Sequence, residues 1–136
     1  MTSPVIQLQL DAADRHYAPG GTLTGRSFVD DPQQRTPRAA ELSVLWYTAG
    51  KGAEDLAVLF IERMIPDGEG RLDLRTPRRF SVKLPLSPLS YGGALIKVCW
   101  CVRLRLFLPR GQEAVGEVPF RLGSVAPYES LSDPAS

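Results

Sequence analysis

His16, Cys99 and Cys101 are the chain's single histidine and both of its cysteines, the residue types best suited to nucleophilic or metal chemistry. A Cys–His nucleophile needs thiol and imidazole brought together, and nothing in this spacing supports that. No serine stands in a Gly-x-Ser-x-Gly elbow. Zinc would need further ligands, and His16 has no Cys or His partner beside it. Cys99 and Cys101 lie about 6.6–7 Å apart along an extended strand, wider than most disulfides accept. Both are expected to be free thiols. The acidic pairs Asp11/Asp14, Asp30/Asp31 and Glu54/Asp55 fall in turn-like segments and read as solvated carboxylates. Gly50-Lys51-Gly52 lacks the rest of a phosphate-binding loop. The stretch from Asp67 to Asp73 alternates oxygen donors without the register of a calcium loop. We expect no enzyme, no cofactor and no bound metal.

The remaining chemistry is cationic. From residue 94 to 108 the side chains alternate for longer than an ordinary strand requires. Ala94, Ile96, Val98, Trp100, Val102, Leu104, Leu106 and Leu108 share one parity. Leu95, Lys97, Cys99, Cys101, Arg103, Arg105 and Phe107 share the other. A period of two places such sets on opposite faces of a sheet. Lys97, Arg103 and Arg105 are therefore candidate binding residues, joined by Lys83 or Arg121 from neighbouring strands. Guanidinium groups hold phosphates and carboxylates in bidentate fashion. The plainer role is a solvated face whose long side chains cover their neighbours.

Fifteen residues at about 3.3 Å each would span about 50 Å, against a domain diameter of about 37 Å. The run must bend, bulge or change sheets. The rest of the chain supplies partners for it: short apolar runs punctuated by Pro, Gly and Asp, with no strong helical period. Strands are expected near 4–10, 22–29, 41–48, 78–84, 94–108 and 114–122. Residues 55–65 fit a helix or a strand with Leu56, Val58, Phe60 and Met64 on one face, and a strand suits the neighbours better. Pro119 in the last strand suits a sheet edge. Arg35-Thr36-Pro37-Arg38 recurs as Arg75-Thr76-Pro77-Arg78, each before a strand, and reads as coincidence in similar loops.

A chain of 136 residues is one domain, here 1–123 with a polar tail at 124–136 that carries Tyr128-Glu129-Ser130-Leu131. A net charge of +1 argues against nucleic acid as partner. No apolar window is long enough for a membrane span, and the first residues lack a signal-peptide layout, so a cytoplasmic location is expected.

Two segments add a family resemblance. Tyr17-Ala18-Pro19-Gly20-Gly21-Thr22-Leu23-Thr24-Gly25 resembles a Y-x-P-G-(D/E)-x-L-x-G signature. Pro85 to Gly93, followed by Ile96-Lys97-Val98-Cys99-Trp100-Cys101-Val102-Arg103, resembles a P-x-S-Y-x-G segment that leads into a strand. In this order they resemble arrestin-like N-terminal domains, among them single-lobe, sporulation-control-protein-like sandwiches. Gly21 stands where the signature is acidic, and one lobe is present. The resemblance implies an all-β, immunoglobulin-like two-sheet antiparallel sandwich. It also implies a non-enzymatic adaptor or scaffold that binds a protein or peptide, with an acidic or phosphorylated segment suiting the three cations. The rival is a ligand- or carbohydrate-binding sandwich using exposed Trp46, Tyr47 or Trp100.

Overall fold

The computed structural model describes residues 3–52 and 54–123; the expected tail and its Tyr128 pattern lie outside them. The strands are β1 (Val5–Leu10), β2 (His16–Tyr17), β3 (Thr22–Asp30), β4 (Ala39–Gly50) and β5 (Leu56–Met64). They continue with β6 (Arg78–Lys83), β7 (Tyr91–Gly92), β8 (Ile96–Phe107) and β9 (Glu113–Leu122). One sheet has the order β1-β3-β6 and the other β2-β9-β8-β4-β5, with β7 also on β8. Neighbours are antiparallel, except for the two-residue parallel contact of β2 with β9.

The inner faces form one core. Leu23, Val29, Phe80 and Val82 of the smaller sheet meet Leu42, Val44, Trp100, Val102, Leu104 and Leu106 of the larger. Alternation along β3 and β8 dictates this, because each apolar row has a facing row to bury against. The inward row of β8 is shorter than its sequence parity. Ala94 lies outside the strand, Ile96 is 41% exposed and Val98 is only half-buried. The larger sheet outruns the smaller at that end, with twelve-residue strands against nine residues in β3.

The long strand also keeps its register. β8 pairs with β4 from Ile96 to Phe107, about 40 Å at the usual rise. The irregularity lies one strand further out, where Val44 faces Phe60 but Leu45 faces Val58. Leu59 is the extra residue of a bulge. It moves Leu56 and Val58 onto the outer face, leaving Phe60 and Met64 on the core side, so the expected single face of β5 is split. The strand expected over 55–65 is present, and the bulge explains why its pattern also fitted a helix.

The two stretches carrying the family resemblance touch in space. The Gly20 amide donates to the Pro85 carbonyl at 3.0 Å, and the Leu84 amide to the Gly21 carbonyl at 2.8 Å. Gly20 has φ +77, where a side chain is strained, and an added Cβ would approach Leu86 at 3.2 Å. Ser90 closes the arrangement: its amide donates to the Leu122 carbonyl, and its hydroxyl accepts from the Leu122 amide at 2.8 Å.

Candidate functional site

The outer face of the larger sheet holds the cations that the alternation of β8 predicts. Register sets the neighbours of each. Arg103 faces Ser43 on β4 and Glu117 on β9; Arg105 faces Glu41 and Val115. The Arg103 Nε donates to Glu117 at 2.7 Å. Arg105 Nε lies 3.7 Å from Glu113, and that buried nitrogen has no hydrogen-bond partner. Arg63 of β5 pairs with Glu41 and lies over the Phe107 ring, 5.4 Å from its centroid. The face is therefore a lattice of alternating Arg and Glu rather than a bare cationic stripe. The glutamates come from β4 and β9, whose parity carried this information without a register to place it.

Lys97 does not join the arginines. It faces Ala49 and Gly92, about 20 Å along β8 from Arg103. Lys83 lies in β6 of the smaller sheet, so it cannot share this face. Arg121 has the parity of Glu117 and Pro119 but follows the last β8–β9 pair.

Between Arg103 and β5 runs a shallow cleft of about 370 Å³, lined by Tyr47, Glu54, Asp55, Leu56, Arg103 and Glu117. Beside it Leu45 and Cys101 are buried on the outer face, away from the central core. Burial first, and the Glu117 carboxylate second, push the Cys101 thiol up to about 11 from an ordinary 9.0. Its folded value exceeds its unfolded one. The thiol therefore contributes stability that is intact below about pH 9 and is lost as pH climbs through 11. Burial likewise raises Tyr47, with the two cysteines adding to the effect.

Cys99 and Cys101 are free thiols, as their spacing predicts. We expect the unfolded, unreduced protein to titrate two thiols. In the native protein at pH 8, iodoacetamide should reach half-buried Cys99 well before Cys101. Equal rates, or fewer than two thiols on unfolding, would contradict this arrangement.

The other sequence candidates have structural employment. Asp11 accepts from Arg79 and, to lesser effect, from Thr24, and these bonds hold its carboxyl below the ordinary range. The Asp67 carboxylate accepts from the Glu69 and Arg71 amides and so shapes its own turn. Trp100 is buried and Trp46 packs against the core, so neither offers a platform for a sugar ring. No group of three metal-ligating side chains occurs among the described residues.

The sheet edges differ in character. The free side of β6 runs past Arg78, Arg79 and Lys83; β1 presents Gln7 and Gln9. β9 meets β2 only at Arg121 and Leu122, and its open length carries Glu113, Glu117 and Pro119, the edge setting expected for that proline. β5 is unlike these. It pairs with β4 alone, and Leu56, Val58, Leu59 and Ile61 are 58, 48, 42 and 57% exposed.

No family model and no curated protein sequence matches the chain. Among solved structures it superposes on the sporulation control protein Spo0M from Bacillus subtilis with a TM-score of 0.58. The superposition covers 92% of this chain and 51% of that one at 15% sequence identity. The fold is arrestin-like. At that identity the likeness concerns architecture, and this arrestin-like sandwich spans about half the length of the structure it resembles. No helix among the described residues is long and apolar enough to cross a membrane.

Proposed function

We propose that this arrestin-like sandwich is a non-enzymatic protein-interaction module, an adaptor or scaffold lobe in the cytoplasm, that takes up an extended peptide along β5. The observation that carries this reading is the contrast between edges. Unpaired strands ordinarily carry charge, proline or a covering element that discourages further pairing. β5 carries charge only in its second half, where Glu62 pairs with Arg78 and Arg63 with Glu41. Its first six residues, Leu56 to Ile61, are uncharged and open on one side, with Leu56, Val58 and Ile61 exposed on the outer face. A peptide added there would satisfy its own backbone groups and lay alternate side chains beside these three. The cleft at Leu56 and Tyr47 lies one strand inward and suits a larger side chain.

A second reading keeps Lys97, Arg103 and Arg105 as the site of an acidic or phosphorylated segment. The unpartnered Arg105 Nε favours it, since a carboxylate or phosphate would complete that donor. Against it, Arg103 is already bound to Glu117, and Lys97 is remote.

Peptides selected from a random display library distinguish the two readings. Val58→Lys/Ile61→Lys should weaken binding at least about tenfold at both low and high salt, because strand pairing is nearly blind to screening. Arg103→Ala/Arg105→Ala should leave it within about threefold. If the arginine variant alone loses binding, and salt weakens the wild type, the anionic-segment reading replaces the edge reading. If neither variant matters, both fail.

A further inference from the structure

The repeated Arg-Thr-Pro-Arg stretches meet. Arg35 and Pro37 of the first copy and Arg75 of the second line one pocket, at the end of the sandwich where β8 turns into β9. The pocket opens between the sheets and encloses about 220 Å³. Its floor is apolar: Leu106 from the end of β8, Leu108 just beyond that strand, Val29 from β3, and Leu74 from the loop before β6, all buried. The Val29 amide donates to the Leu74 carbonyl at 2.8 Å, which fixes that loop to the smaller sheet.

The rim is polar, and nearly all of it is occupied. Both Asp31 oxygens accept from Arg35, whose NH1 also donates to Gln112 at 3.2 Å. These side chains are well covered, with Asp31 10% and Arg35 17% exposed. Both Asp73 oxygens are used too, one by the Arg75 amide and one by the Thr76 hydroxyl. The Arg75 guanidinium differs. It is exposed and makes no hydrogen bond or ion pair with another described residue. It presents five N–H donors beside a greasy floor. Its charge helps to lower the Asp73 carboxyl, but it makes no hydrogen bond to it, and each Asp73 oxygen already accepts one from elsewhere.

We propose that this pocket binds a small monocarboxylate with a compact apolar body, the hydrocarbon part against Leu74, Leu106 and Leu108 and the carboxylate on Arg75. The volume sets the size. At about 30 Å³ per water it holds about seven waters' worth of matter, which fits a six-carbon chain or a single aromatic ring. The charge sets the head group, because a planar guanidinium fork matches a carboxylate in two parallel hydrogen bonds.

The test is an amide NMR titration of the whole chain with hexanoate, benzoate, 1-hexanol and hexylamine as probes. Hexanoate and benzoate should give saturable shifts centred on residues 72–75 and 106–108, with dissociation constants of about millimolar. Hexanol and hexylamine should bind at least about tenfold more weakly. Arg75→Gln, at an exposed position, should bring hexanoate down to the level of hexanol. Leu72→Trp, filling the half-buried side of the pocket, should abolish binding of every probe. The proposal is overturned if no probe saturates, if the shifts centre on another region, or if hexanol equals hexanoate. Unchanged hexanoate binding in Arg75→Gln would also overturn it.

Discussion

Trp100→Ala is expected to lower the free energy of unfolding by about 3–5 kcal/mol in denaturant melts. The indole is 1% exposed in the middle of β8, where no rearrangement of the surface can fill the space it leaves. Its ring lies 5.8 Å from that of Phe120 on β9, and Phe120 in turn meets Tyr17 edge-on at 5.7 Å. The truncation would therefore loosen three aromatic rings that tie β2, β9 and β8 together. It would also leave the Pro88 carbonyl without the indole N–H that reaches it at 2.8 Å. That bond anchors the segment leading into β7, so part of the cost is an unsatisfied acceptor rather than lost contact area. A loss below about 1 kcal/mol would mean that this face of β8 is not core.

Val102→Asp is expected to leave no cooperatively folded protein, whereas Arg103→Ala costs less than about 1 kcal/mol. The two positions are adjacent, yet they lie on opposite faces of one strand. Val102 is fully buried at the centre of the sandwich, paired with Val44 on one side and Val118 on the other. A carboxyl group there has no donor in reach, and even its protonated form carries several kcal/mol of desolvation, a large share of a domain's total stability of about 5–15 kcal/mol. Arg103 loses an ion pair with Glu117 whose members remain in contact with water, and the glutamate can rehydrate. Circular dichroism and thermal melts of both variants check the contrast. A folded Val102→Asp protein, or an unfolded Arg103→Ala protein, would reverse the assignment of faces.

Much of this architecture is legible in the residues because period-two patterns report which face a side chain takes. β1, β3 and β8 could be read in that way, and the ordered pair of segments around Gly20 and Ser90 pointed to the arrestin-like arrangement they build. What a single strand cannot carry is register. The glutamates that neutralise Arg103 and Arg105 lie 8 to 14 residues away in β9, and only the pairing of Glu117 with Arg103 brings them across. Leu59 is equally invisible, since one extra residue exchanges the faces of β5 and turns an apolar strand into an apolar edge. The repeated Arg-Thr-Pro-Arg stretches illustrate the same limit. Their likeness gave no reason to place them at one mouth until β3 and the loop before β6 were joined through Val29 and Leu74.

β5 is the strand proposed to accept a partner. Amide hydrogen exchange, measured with and without a display-selected peptide at saturation, tests that claim directly. Unpaired amides of β5 should exchange quickly in the free protein and become protected in the complex, in an alternating pattern from Leu56 to Met64, while β6 and β9 stay unchanged. Saturating peptide that leaves β5 exchange unaltered, with protection appearing instead along β9 or over Arg103 and Arg105, would contradict it.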